Sequence, residues 1–197
     1  MGESKGRTFS TSFVRDYKTG DNIGLNIQSI CALRKARETF PSGEKWKFNK
    51  PIVLMIVGVI EACLFEIVAR ARFNTREGVP NITQKQLAGV QRSKKGGFDF
   101  LVQTCKQLKI LGPIHSEIYP ILLELARLRD RIHIQNEHRF QPRCERKAFT
   151  DERVFRAEKC LEIVLAHLST NYGRPACYAE PVDLPWQHTE ADINPSL

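Results

Sequence analysis

The chain alternates long apolar stretches of helical period with short polar, Gly- or Pro-containing breaks. Ile27 to Thr39 predicts a first helix, closed by Phe40, Pro41, Ser42 and Gly43. Asn49 and Pro51 suit the opening of a second helix that runs to about Arg72 and is apolar nearly all round, as a central helix is. Thr83 is placed to cap a short helix through Arg92, and residues 93–97 read as a basic joint. From Phe98, Leu101, Val102, Cys105, Leu108 and Leu111 fall on one helical face, stopped by Gly112 and Pro113. The next helix starts between Ser116 and Pro120 and carries the stripe Ile121, Leu122, Leu125, Leu128 and Ile132. A last long helix opens at Thr150 and Asp151 and continues to Tyr172. Strand signals are nearly absent. The expected class is therefore all-α: an up-and-down four-helix bundle with one or two additional short helices. It occupies residues 25–173, between a loosely ordered N-terminal segment, 1–24, and an acidic, Pro-containing C-terminal tail, 174–197.

At 197 residues the chain holds one domain of ordinary size. Its 30 Lys and Arg against 22 Asp and Glu give a net charge of +8, which favours polyanionic partners. The last twenty residues contain Glu180, Asp183, Glu190 and Asp192 and no Lys or Arg, leaving an excess of twelve positive charges on residues 1–177. That tail is either a solvated extension or a competitor for a basic surface.

The six cysteines show none of the paired spacings of a zinc knuckle, so neither a metal nor another cofactor is expected. Cys31, Cys63, Cys105 and Cys160 lie within apolar helical patterns, where reduced thiols act as small core residues. This usage points to the cytoplasm, and residues 1–21 have no signal-peptide core. Pro51 to Ala69 has the length of a membrane span, but Glu61 and Glu66 would each cost a few kcal/mol at hydrocarbon depth, so a soluble core helix is expected.

The segment with most chemical potential is Leu122 to Asn136. Continued as an α-helix at about 100° per residue, it sets Arg129 and His133 one turn apart beside the apolar face. Arg127, Asp130 and Arg131 then point to solvent. A cation next to a histidine tends to lower the imidazole pKa, which suits proton transfer near neutrality. Arg129 can hold the nonbridging oxygens of a phosphodiester while His133 moves a proton, and the neighbouring 2′-hydroxyl of RNA supplies the nucleophile. The plainer alternative is a chance Arg/His pair whose imidazole only hydrogen-bonds within the bundle.

Leu-Ala-Arg-Leu-Arg-Asp-Arg-Ile-His-Ile, residues 125–134, resembles the signature of HEPN domains, an all-helical family of ribonucleases and nucleic-acid-associated toxins. The helix around Glu61 and the Leu-Gly turn at 111–112 resemble family features as well, and the likeness covers about residues 50–170. The family usually has four to six residues between its Arg and His. Arg129 and His133 have three, whereas Arg127 and His133 have the ordinary five. Arg129 is nevertheless favoured, because polar Asp130 follows it and it shares the face of His133. The resemblance implies a homodimer in which two signature helices form one composite cleft, and a nucleotidyltransferase-like antitoxin as a partner.

Supporting residues in this reading are Arg127, Asp130, Asn136 and Glu61, the last expected chiefly as a buried partner for a helix arginine. Arg139, Phe140, Arg143, Arg146 and Lys147 form an RNA track just beyond the signature, with Arg92, Lys94 and Lys95 as a second basic cluster. Trp46 and Trp186 are expected to anchor loops. The first functional expectation is a metal-independent endoribonuclease in a toxin, phage-defence or RNA-processing setting. Its rivals are a noncatalytic helical dimerisation or RNA-binding module and a DNA-binding regulator, although no recognition-helix pair stands out for the last.

Overall fold

In a computed structural model, described for residues 6–15, 17–73, 79, 82–93, 96–112, 117–133, 142–174 and 180–186, the central apolar segment becomes a 25-residue helix, α2 (Asn49–Phe73). It is the axis of the molecule. Around it pack α1 (Tyr17–Thr39), α3 (Gln84–Arg92), α4 (Phe98–Gln107), α5 (Ile118–Arg129) and α7 (Asp151–Tyr172). A 3-10 helix, Ser42–Phe48, leads into α2, and the short α6 (Glu145–Ala148) leads into α7. The protein is all-α, and its one small sheet among the described residues pairs β1 (Arg7–Phe9) with β2 (Val182–Leu184).

Burial explains why α2 takes this place. Ile52, Val53, Ile56, Ile60, Cys63, Leu64 and Ile67 are all fully buried on one face, and buried Val57, Val59 and Val68 widen that face to about half of the helix circumference. This is the apolar stretch long enough to cross a membrane, and in the structure it is largely covered by its own neighbours. Glu66 is buried too, but it accepts from the Arg15 backbone N–H at 2.8 Å and pairs with Arg174 at 3.3 Å. A buried carboxylate with two such partners is tolerable in a protein interior.

Several boundaries follow their capping chemistry. Thr83 and Gln86 form a reciprocal capping box at the start of α3. The Thr150 side chain accepts from the Arg153 N–H at the start of α7. Asn49 differs: instead of capping its own helix, it donates to the Phe149 carbonyl at 3.0 Å and to Asp151 at 2.8 Å, and accepts from Arg37 at 3.0 Å. One buried amide thus ties the end of α1 and the start of α2 to the start of α7.

The chain ends depart from expectation. The segment read as loosely ordered, residues 1–24, supplies β1 and the first two turns of α1, and Phe9, Phe13, Val14 and Ile23 enter the core. The tail is also partly fixed. Val182 and Leu184 pair with Phe9 and Arg7, and Trp186 is buried beneath the Arg34 guanidinium, 4.7 Å from its ring centroid. These aromatic and β-branched residues find partners more than 150 positions away, which local periodicity does not register.

Candidate functional site

The structure breaks the continuous signature helix. α5 ends at Arg129 and tightens into a 3-10 turn over Asp130–Ile132, and His133 leaves in an extended conformation at φ −87° and ψ 103°. A 3-10 turn advances about 120° per residue instead of 100°. Over three residues the side chains rotate by about 60° from their α-helical directions. Two corrections follow. Ile132, expected in the core stripe, is 59% exposed, and Arg131, expected in solvent, is buried.

Arg131 is held firmly there. It donates to the Pro142 carbonyl at 2.7 Å, to the Arg143 carbonyl at 3.0 Å and to the Glu145 carboxylate at 2.9 and 3.1 Å. Lys50 reaches Glu145 at 2.7 Å and the Arg131 carbonyl at 3.2 Å. Partial burial pushes the Glu145 carboxyl up, but the hydrogen bonds from Lys50 and Arg131 outweigh it and hold the group below its ordinary value. The third arginine of the motif is therefore a clasp that joins the signature turn to α6.

Arg129 occupies the other side. Its Nη2 lies 3.2 and 3.4 Å from the two oxygens of Glu61 in the middle of α2, and its Nη1 lies 3.6 Å from Asp130. Glu61 is thus the carboxylate partner expected for a helix arginine, though half-buried rather than buried. Its side chain is 23% exposed and that of Arg129 42%. Arg127 is exposed, and so is His133, which the loss of helix removes from the wheel position assumed for it.

Arg129 and Glu61 stand on the wall of a cleft of about 460 Å³ between α2 and the N-terminal end of α4. Its other walls include Gly58, Ala62, Phe65, Phe73 and Phe100, and Arg72. Phe65 and Phe73 are 55% and 69% exposed. Arg72 is braced by the Val90 and Ser93 carbonyls and stacks toward Phe73 and Phe100. The sequence reading missed this aromatic wall. A signal was present in Phe65 and Phe73, eight residues apart and so on one face of an otherwise buried helix.

Of the expected RNA track, Arg143, Arg146 and Lys147 are exposed on and just before α6. Asn136, Arg139, Phe140, Lys94 and Lys95 lie outside the described residues. Cys63, Cys105 and Cys160 are buried free thiols, Cys31 is half-buried, and Cys144 is exposed. No cluster of three or more His, Cys, Asp or Glu able to hold a metal occurs among the described residues. Comparison with family models, with curated proteins and with solved structures finds no match to the chain.

Proposed function

We propose that the protein is a HEPN-like, metal-independent endoribonuclease, an up-and-down helical bundle that acts as a cytoplasmic homodimer. The observation that carries this reading is the half-exposed guanidinium of Arg129, pinned by Glu61 at the wall of a cleft and followed four residues later by an exposed histidine. A guanidinium has five N–H donors, so the ion pair with Glu61 leaves donors for a phosphate.

In this reaction the RNA 2′-oxygen attacks the adjacent phosphorus, and the P–O5′ bond breaks. The products are a 2′,3′-cyclic phosphate and a 5′-hydroxyl. His133 of one copy accepts the 2′-hydroxyl proton, and His133 of the second copy gives a proton to the leaving 5′-oxygen. Arg129 stabilises charge on the nonbridging oxygens. Glu61 positions Arg129, with Asp130 assisting and Arg127 on the exposed last turn as the reserve cation. Arg143, Arg146 and Lys147, with Arg139, Phe140 and Asn136 nearby in sequence, receive the flanking RNA. Buried, unpaired thiols support a reducing compartment. A toxin or phage-defence role with a nucleotidyltransferase-like antitoxin completes the proposal.

The test is cleavage of RNA in EDTA by the wild type, Arg129→Ala and His133→Ala, with a 2′-deoxy oligonucleotide as control. Loss of cleavage in both variants and on the deoxy substrate is expected. Cleavage that survives both substitutions, or an inactive wild type, overturns the enzymatic reading. The exposed Phe65 and Phe73 favour one alternative, a noncatalytic dimerisation or RNA-binding module, which binds RNA without turnover.

A further inference from the structure

The 3-10 helix Ser42–Phe48 and α6 come from distant parts of the sequence, yet they meet in space. The Arg146 guanidinium lies 5.6 Å from the centroid of the Trp46 ring. Lys45 and Lys47 flank that tryptophan, and Lys147 follows that arginine. Nearby carboxylates are already engaged: Glu44 by Lys47 at 2.5 Å, Glu145 by Lys50 and Arg131, and Asp151 by Arg37 at 2.6 Å. Even with Lys47 paired to Glu44, the residues at the ring carry four cations, Lys45, Lys47, Arg146 and Lys147, against that one carboxylate.

Both supports are fixed before any ligand arrives. Phe48 packs edge-on against Phe40 with ring centroids 4.7 Å apart. The α6 turn is gripped from below by Arg131, and its C-terminal carbonyls, Lys147 and Ala148, accept from Arg153. Trp46 itself stays only half-buried despite the arginine over it. An accessible aromatic ring within a preorganised group of cations is the chemistry that binds single-stranded nucleic acid, by base stacking and phosphate neutralisation together.

We propose that Trp46, Lys45, Lys47, Arg146 and Lys147 form a platform for single-stranded RNA, with Trp46 stacking on one base and the cations taking the phosphates on either side. This rests on the reading of RNA as the ligand and extends its track to a segment 100 residues away in sequence, but it does not require Arg129 or His133 to be catalytic.

The test uses the full chain and a fluorescent 2′-O-methyl oligouridine about ten nucleotides long, which spans a platform of this kind and cannot be cleaved through a 2′-hydroxyl. Binding should quench Trp46 emission, since Trp186 is buried and serves as a constant background. Anisotropy should show Trp46→Leu weakening binding by roughly tenfold, the worth of one stacked base. Trp46→Phe should restore most of that loss. Lys45→Gln with Lys47→Gln should make log K against log[salt] shallower by about 0.7 for each lost phosphate contact. Unchanged affinity and salt slope in these variants overturn the platform, as does quenching by anionic phosphatidylserine vesicles but not by the oligonucleotide. Cleavage in EDTA reports separately on Arg129 and His133, so an intact platform in an inactive protein refutes only the catalytic reading.

Discussion

Arg129, the last residue of α5, reaches across to Glu61 in the middle of α2 and pairs with it at 3.2 Å on the wall of the aromatic cleft. Both side chains keep contact with water, so screening limits the energy of the pair. A double-mutant cycle with Glu61→Gln and Arg129→Gln should give a coupling of about 0.5 kcal/mol, read by urea denaturation. Under the proposed endoribonuclease reading, the effect on cleavage should be larger than that on stability: Glu61→Gln frees the guanidinium to swing, and kcat should fall about tenfold or more while the fold persists. A value near 3 kcal/mol with unchanged kcat would make the pair a structural element only.

Arg131 presents the opposite balance. It is buried, and four of its hydrogen bonds end on α6 or the residues just before it. Arg131→Ala leaves two backbone carbonyls and Glu145 without these donors and should destabilise the protein by about 2–4 kcal/mol. Arg131→Lys should recover less than half, because one ammonium does not reproduce the planar fork of donors. Thermal unfolding measures both, and a loss in Arg131→Ala of under about 1 kcal/mol contradicts the clasp.

Lys109 holds a backbone conformation that favours glycine. Its φ is 53°, and around it the Ile110 N–H bonds to the Cys105 carbonyl and the Lys109 N–H to the Lys106 carbonyl, the Schellman pattern that closes α4. The side chain is exposed and lies outside the core. Lys109→Gly should therefore stabilise the protein by up to about 1 kcal/mol. A decrease in midpoint denaturant concentration would show that the lysine contributes contacts that outweigh its strain.

Arg131 and Lys109 mark the limits of what the sequence reveals. Helix starts are legible where a side chain caps its own helix, as at Thr83 and Thr150, because donor and acceptor lie three residues apart. The end of α4 is not, since the conspicuous stop, Gly112, comes three residues after the lysine that turns the chain. Arg129 stands out as a candidate from its motif, and Glu61 as a carboxylate awaiting an arginine. The fate of Arg131 depends on carbonyls at 142 and 143, and the pairing of Trp46 with Arg146 on a fold that brings together positions 100 apart in sequence. Long-range partners of this kind leave no trace in helical periodicity.

Asp151 links stability to acid. Its carboxylate accepts from Asn49 and Arg37, and those hydrogen bonds, with Asn49 the larger influence, hold its pKa below the ordinary value. A group whose folded pKa is depressed contributes stability above its unfolded pKa, and the contribution fades as pH falls through the folded value. Asp151→Asn should therefore unfold more easily than wild type at pH 7, and the difference should shrink below about pH 4. Denaturant midpoints across that range decide it. A gap that widens on acidification reverses the sign and removes the carboxylate from the network.

Thiol reactivity offers a check on the fold that needs no substitution. Burial pushes Cys63, Cys105 and Cys160 up to about 12, so at pH 8 these groups are both shielded and protonated. Burial also raises Cys31, less strongly. Cys144 is fully exposed, and the backbone N–H groups of Lys147 and Arg146 lower its pKa, favouring the thiolate. Iodoacetamide at pH 8 should thus modify Cys144 before Cys31, Cys63, Cys105 and Cys160, with peptide mass spectrometry reading the order. Mild urea should leave Cys63 protected until global unfolding, because its face of α2 is fully buried and reaches solvent only when the surrounding helices are dismantled. Early labelling of Cys63 would mean that the central helix is accessible in the native state, and the arrangement of the core around α2 would be wrong.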